Sequence, residues 1–264
     1  MKLENLGKLY KRYFNQNTFN FLIKALYDID NYYLNLDVDV EDKIKEILDR
    51  FLNGEPIEYL VNKAYFYHSY YYVDRRVLLP EDETEELVYE VIKTVKNKNL
   101  VGVDIGTGSG CIAISLKKEL DDRIIATDIS SDALEVFKIN KKDLDIPYFK
   151  GDALTPLIEN NIKVDYIVSN PPYIDKDDKE VSDSVNEYYP HTALYASNHG
   201  LSVYESILKN ASKVLNKNGF IFFEIGYKQA NDLKELANKY LDKHEFNVIK
   251  DINGHDRIIK IRMI

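Results

Sequence analysis

Apolar positions recur every three or four residues in three early stretches: Leu3, Leu6, Leu9, Tyr10 and Tyr13; Leu22, Ala25, Leu26 and Ile29; then Ile44, Ile47, Leu48 and Phe51. That spacing places them on one face of a helix, so residues 1–55 are expected to form a small helical bundle. Gly54 and Pro56 supply the stop, because glycine accepts the left-handed cap and proline cannot continue a helix. The helical period vanishes over AYFYHSYYYVDRRVLL at 64–79. Aromatic and β-branched side chains suit a pleated surface, so a short hairpin is expected there, its tyrosines serving as packing.

From about residue 82 the pattern alternates. A helix near Thr84 carries Leu87, Val88, Val91, Ile92 and Val95 on one face. After it come the strand LVGVDIG, a helix from Ser109, the strand RIIATDI, a helix from Asp132 and the strand DYIVSN. A helix over 200–215, the strand FIFFEIG, a helix from Gln229 and a hairpin turning at Asn253-Gly254 complete the chain. Alternating strands and helices imply an α/β fold with a mostly parallel sheet covered on both faces. Three units are expected: a helical domain over 1–63, a β-hairpin linker over 64–80, and a Rossmann-like domain over 81–264 ending in an antiparallel hairpin.

Charge and cysteine content narrow the setting. The 264 residues carry 35 basic and 44 acidic side chains, a net charge of −9, which argues against a broad grip on nucleic acid. The single cysteine, Cys111, can form neither an internal disulfide nor a cysteine zinc site, and is expected to be a small buried hydrophobe in a reducing cytoplasm. His68, His191, His199, His244 and His255 show no metal-ligand spacing, so no metal is expected. No apolar run is long enough to span a membrane, and the N-terminus lacks a secretory pattern.

Between a predicted strand and a predicted helix lies Asp104-Ile105-Gly106-Thr107-Gly108-Ser109-Gly110. Glycines there permit a tight turn and a close ligand. A dinucleotide site would read G-x-G-x-x-G to seat a pyrophosphate. Here the spacing is G-x-G-x-G with an acidic residue before the first glycine, which suits a cofactor without phosphate. S-adenosylmethionine, with its ammonium and sulfonium, would gain from a nearby carboxylate such as Asp104. Asp128 ends the next strand, where a carboxylate can accept from both ribose hydroxyls. Asp152, followed by Ala153, ends the third strand, where it can accept from an adenine amine.

Asn170-Pro171-Pro172-Tyr173 follows the strand DYIVS. Two prolines stiffen the turn and expose carbonyls without neighbouring amide donors. The Asn170 side-chain oxygen and the Pro171 carbonyl then form a pair of acceptors on a rigid loop, which is what a planar NH2 group needs. Such a pair can orient a delocalised nitrogen lone pair toward a methyl group without a strong base. Tyr173 is expected to pack against the flat substrate group.

These segments resemble the HemK/PrmC glutamine methyltransferases, which modify peptide chain release factors. The resemblance covers about 52–264 and rests on GEPIEYL at 54–60, DIGTGSGCIAISL at 104–116, SNPPYI at 169–174, HTALYASNHGLSVYESIL at 191–208, FFEIGYKQ at 222–229 and INGHDRIIK at 252–260. It implies a class I methyltransferase fold, S-adenosylmethionine as donor and S-adenosylhomocysteine as product. The substrate it implies is the glutamine of the Gly-Gly-Gln loop in class 1 release factors. Asn170 to Tyr173 would bind the substrate amide; Gly106 to Gly110, Asp128, Asp152, Ala153 and Asn170 would line the cofactor site. The N-terminal helices would dock the release factor, and a cytoplasmic monomer is expected.

Some positions depart from the family pattern. Glu81-Asp82 stands where Arg-Pro is usual, Ala153 where a larger residue is frequent, Tyr189 where Glu precedes the proline, and Ala196-Ser197 where two glycines are usual. Two other readings stay open on the residues alone. One is methylation of an exocyclic amine of a nucleic-acid base, which presents the same flat NH2 but requires base flipping. The other is a divergent paralogue that binds cofactor without turnover.

Overall fold

The computed structural model describes residues 5, 8, 13–27, 41–96, 98–178 and 181–264, with the side chains of 41–43 excepted. Leu3, Leu6, Leu9, Tyr10 and Ile29 of the expected helical stripes lie outside the described residues. Among the described residues, the helices α1 (Gln16–Tyr27), α2 (Glu41–Leu52) and α3 (Ile57–Val61) precede the first strand. Phe14, Phe19, Leu22, Ile23, Ile44, Ile47, Leu48, Ile57 and Leu60 join in one apolar cluster. Tyr59, on the other side of α3, packs instead with Val73 and Val77, and its hydroxyl donates to the Val77 carbonyl at 2.7 Å. α3 thus ties the helical segment to the chain around Val77.

The hairpin is shorter than its composition suggests. β1 (Ala64–Phe66) and β2 (Ser69–Tyr71) pair around Tyr67 and His68, whose φ values of 40° and 62° are the double left-handed pair of a type I′ turn. Pairing stops at Tyr71 because Asn140 captures the backbone of Tyr72: its Oδ1 accepts from the Tyr72 N–H at 2.7 Å and its Nδ2 donates to the Tyr72 carbonyl at 2.9 Å. Residues 72–80 therefore cross the molecule as a loop rather than as a strand.

Next come α4 (Asp82–Val95), β3 (Val101–Ile105), α5 (Cys111–Glu119), β4 (Arg123–Asp128), α6 (Ser131–Lys141), β5 (Tyr148–Lys150), α7 (Thr155–Glu159) and β6 (Val164–Ser169). The short elements β7 (Ile174–Asp175), α8 (Asp183–Tyr188), α9 (His191–Leu194) and β8 (Tyr195–Ala196) lead to α10 (Ser202–Val214) and β9 (Leu215–Glu224). Then α11 (Ala230–Tyr240) precedes β10 (His244–Lys250) and β11 (Asp256–Met263). The seven-stranded sheet has the order β10-β11-β9-β6-β3-β4-β5; β9, β6, β3, β4 and β5 are parallel, and β11 and β10 are antiparallel.

Side chains alternate across this sheet as a pleat requires. Ile167, Ile221 and Phe223 face α10 and α11, whereas Tyr166, Val168 and Phe222 face α4 and α5. The stripe Leu87, Val88, Val91, Ile92 and Val95 on α4 is buried there. At the C-terminal hairpin, Gly254 takes the positive φ of 83°, and both the Asn253 and His255 N–H groups donate to the Asp251 carboxylate at 2.9 Å. The turn thus spans 251–255 rather than closing on Asn253-Gly254 alone.

Candidate active site

Strand order decides which loops meet. The chain steps outward from β3 to β4 and β5, then returns to place β6 on the other side of β3. The carboxyl ends of β3 and β6 form the switch point where open α/β sheets hold ligands. The glycine loop leaves β3, and Asn170 leaves β6, as neighbours. The Ser169 hydroxyl donates to the Ile105 carbonyl at 2.7 Å and locks the two ends together.

The loop is braced from below. Gly106 and Thr107 donate their N–H groups to the Thr127 carbonyl, both at 2.9 Å. Gly110 caps α5 at φ 84°, and a Cβ there would lie 2.4 Å from Phe137, so glycine is required by both torsion and space. Asp104 is fully buried beneath the loop, where its Oδ2 accepts from the Thr107 hydroxyl at 2.7 Å and the Ala113 N–H at 3.2 Å. Burial pushes its carboxyl up to about 7, against the pull of those two donors. Its Oδ1 has no hydrogen-bond partner among the described residues.

Asp128 ends β4 with one oxygen on the glycine loop and the other on the turn that follows the strand: Oδ2 accepts from Gly108 N–H at 2.9 Å and Oδ1 from Ser130 N–H at 2.8 Å. Burial raises its carboxyl above the ordinary range, opposed by these backbone bonds. A cavity of about 380 Å³ opens here, lined by Gly106, Thr107, Gly108, Ser109, Asp128, Asp152 and Ala153 on one side. Asn170, Pro171 and Pro172 line the same cavity. A Cβ built on Gly106 meets nothing within 4 Å, so the loop backbone faces open space. Cys111 also borders the cavity, but burial pushes its thiol up to about 12, which leaves it inert as a nucleophile.

Asn170 is oriented by residues far away in sequence. Its Nδ2 donates to the Thr84 hydroxyl oxygen at 3.1 Å, and that hydroxyl donates to Glu224 Oε2 at 2.7 Å. The Asn170 oxygen is left as the acceptor for the cavity. Gln229 holds the next turn, its Nε2 donating to the Tyr173 carbonyl at 3.1 Å while its Oε1 accepts from Gly226 N–H at 3.0 Å.

Among the residues singled out from sequence, Asp104, Gly110 and Tyr173 are absent from the cavity wall. Asp104 and Gly110 shape the loop from behind. The Tyr173 ring packs against the core that includes Tyr204, held there by Gln229 and by the close approach of Gly200 to its carbonyl. Conversely, Arg76 to Pro80, Thr84, Thr192, Ala193, Tyr195 and Ser202 border the cavity although no motif assigns them to it. Family resemblance draws attention to Glu81-Asp82 and to 191–208, but no periodicity points to a role for either segment. Among the described residues, no three His, Cys, Asp or Glu side chains cluster as metal ligands, and no helix is long and apolar enough to cross a membrane.

A parallel sheet with an antiparallel C-terminal hairpin, and a G-x-G-x-G loop facing an Asn-Pro-Pro turn, define a class I methyltransferase, a class that uses S-adenosylmethionine. The family model for the methyltransferase small domain matches residues 81–189. The release factor glutamine methyltransferase of Staphylococcus aureus is 45% identical over 220 residues, covering 81% of this chain and 78% of that protein. That of Enterococcus faecalis is 38% identical over 222 residues, covering 83% and 79%. The chain belongs to the release factor glutamine methyltransferase family, and it is an enzyme. Its fold is also similar to a solved ribosomal protein L11 methylase from Lactobacillus delbrueckii, at TM-score 0.54 and 21% identity over 73% of this chain and 84% of that one.

Proposed function

We propose that this enzyme methylates the side-chain amide nitrogen of the glutamine in the Gly-Gly-Gln loop of class 1 peptide chain release factors. The observation that carries the reading is the cavity shared by the glycine loop with Asp128 and by Asn170-Pro171-Pro172. The residues fit S-adenosylmethionine: the Gly106 backbone faces open space, and Asp128 presents a carboxylate whose oxygens each retain a lone pair. Asp128 would take the ribose hydroxyls, Asp152 the adenine amine, and the loop from Gly106 to Ser109 the methionine portion. When bound, this cofactor supplies an electrophilic methyl group and leaves as S-adenosylhomocysteine, its former carbon–sulfur electron pair remaining on sulfur.

The chain's own residues do the rest by positioning. Asn170 Oδ1 and the Pro171 carbonyl accept the two amide protons of the glutamine. The nitrogen lone pair is thereby fixed across the amide plane, toward the cofactor half of the cavity. Pro171 and Pro172 have no N–H to compete for the substrate oxygen, and their fixed φ keeps the acceptors from drifting. Holding reactants in line can supply about 7–11 kcal/mol of a barrier. The amide gives up its proton only after the nitrogen has formed its new bond; the N-methylated cation is a strong acid and releases that proton to water, so no strong base is required.

The test is transfer of labelled methyl to purified release factor, beside a factor with its Gly-Gly-Gln glutamine changed to alanine and a DNA control. Label on the unmodified factor alone is expected. Label on DNA, or equal label on both factors, would assign another substrate.

A further inference from the structure

We propose that Thr84 and Glu224 are positioning residues for methyl transfer, locking the Asn170 amide in the one orientation that presents its oxygen to an incoming NH2 group. The proposal rests on the reading that Asn170 receives the substrate amide. The oxygen and nitrogen of an asparagine amide are nearly equal in size, so shape does not choose between the two orientations. The hydrogen-bond partner chooses. A threonine hydroxyl has one hydrogen, and here it points to Glu224 Oε2 at 2.7 Å. Toward Asn170 the same oxygen can then only accept, and only the asparagine NH2 can donate to it, at 3.1 Å. In the flipped amide two acceptors would face each other at Thr84. The NH2 would point into the cavity, donor against the substrate's donor.

Glu224 is what makes the direction one-way. As a carboxylate it can only accept, which fixes the Thr84 hydrogen; as a neutral acid it still accepts from Thr84 through Oε2 while its proton sits on the unpartnered Oε1, and the direction is lost only where Oε2 itself carries the proton. It is the last residue of β9 and fully buried, Oε2 is bound by Thr84, and Oε1 has no partner among the described residues. The groups that act on it from neighbouring elements are Glu81 and Glu83, which disfavour its charge, and Arg257, which favours it. Tyr173, Tyr204 and Cys111 lie in its field as well. Burial pushes its carboxyl up to about 8, a burden for the fold that a merely structural position could shed by carrying an apolar residue.

The experiment compares Thr84→Val, which keeps shape and removes the hydroxyl, with Thr84→Ser, which keeps the hydroxyl and removes a methyl. Thr84→Val is expected to lower kcat/KM for release factor by about tenfold, the size of one lost hydrogen bond, with S-adenosylmethionine Kd unchanged. Thr84→Ser is expected to recover most of that loss. A residue that only packs α4 would give the reverse order, and that result would overturn the proposal. A second arm does not depend on turnover. The Asn170 side-chain NH2 resonances, assigned by their loss in Asn170→Ala, should follow a single titration that vanishes in Glu224→Gln and in Thr84→Val. Resonances indifferent to both changes would refute the relay. If the wild-type enzyme left release factor unlabelled, the substrate reading would fail, and this titration alone would decide the relay.

Discussion

Asp128 spends one carboxylate oxygen on Gly108 N–H and the other on Ser130 N–H, so it shapes the loop and faces the cavity at once. Asp128→Ala removes an acceptor of charge-assisted bonds, and the expected loss of S-adenosylmethionine affinity is about 1.5–3 kcal/mol. Asp128→Asn keeps shape but can satisfy only one of the two N–H groups, and should fall between. Calorimetric titration with the cofactor checks both; an unchanged Kd for Asp128→Ala would move the ribose contact elsewhere. Asn170 is the sharper case. On the proposed reading, in which its oxygen accepts from the substrate NH2, Asn170→Ala is expected to cut methyl transfer by about 100-fold or more. Circular dichroism should remain that of the wild type. Retained turnover in that variant would remove the proposed substrate contact.

At the scale of elements, the segment between β6 and α10 depends on one close approach. Gly200 sits at φ 80°, and a Cβ there would lie 2.0 Å from the Tyr173 carbonyl oxygen. That oxygen is the one Gln229 holds, and β7 pairs with β8 just beyond it. Gly200→Ala must therefore push the Asn-Pro-Pro-Tyr turn away from Gln229. The expected result is a loss of turnover of about 100-fold with at most a small change in cofactor Kd, read from steady-state kinetics beside a binding titration. Equal turnover in the alanine variant would show that the turn tolerates displacement. Glu55 plays a comparable part for the helical segment. It is 3% exposed and accepts from Arg50 of α2 at 2.9 Å and from Arg75 of the 72–80 loop at 3.0 Å. Burial works to raise its carboxyl, but the two arginines outweigh it and hold it below the ordinary range. Both arginines are about half in solvent, so Glu55→Ala is expected to destabilise by only about 1–3 kcal/mol. A urea midpoint that did not move would mean the ion pairs contribute nothing.

For the molecule as a whole, the buried acids make stability depend on pH in a defined direction. Glu224 is raised to about 8 and Asp104 to about 7, both above the unfolded carboxylate value. A raised folded value means that the folded state holds the proton more tightly than the unfolded one. Their contribution to stability is full below about pH 4 and is lost as pH rises through about 7–8. Glu224→Gln removes one of these groups. Its stability relative to wild type is expected to improve steadily between pH 5 and pH 8.5, read from urea midpoints along that series. A constant difference across the series would mean that Glu224 does not titrate there.

The helical stripe of α4, the glycine loop, Asp128 at a strand end and the Asn-Pro-Pro turn were all legible in sequence, because each rests on local periodicity or on backbone chemistry carried by adjacent residues. The extent of the hairpin was not: Tyr67 and His68 form its turn without glycine or asparagine, and Asn140, distant in sequence, ends the pairing. The position of Tyr173 was not legible either, since Gln229 and Gly200 decide where its carbonyl and ring go. Sequence by itself determined a parallel α/β methyltransferase with its glycine loop and its Asn-Pro-Pro turn. Only the tertiary structure decided how the Asn170 amide is held. Thr84 and Glu224 lie 140 positions apart, and no spacing rule links residues that meet only because α4 packs against the end of β9.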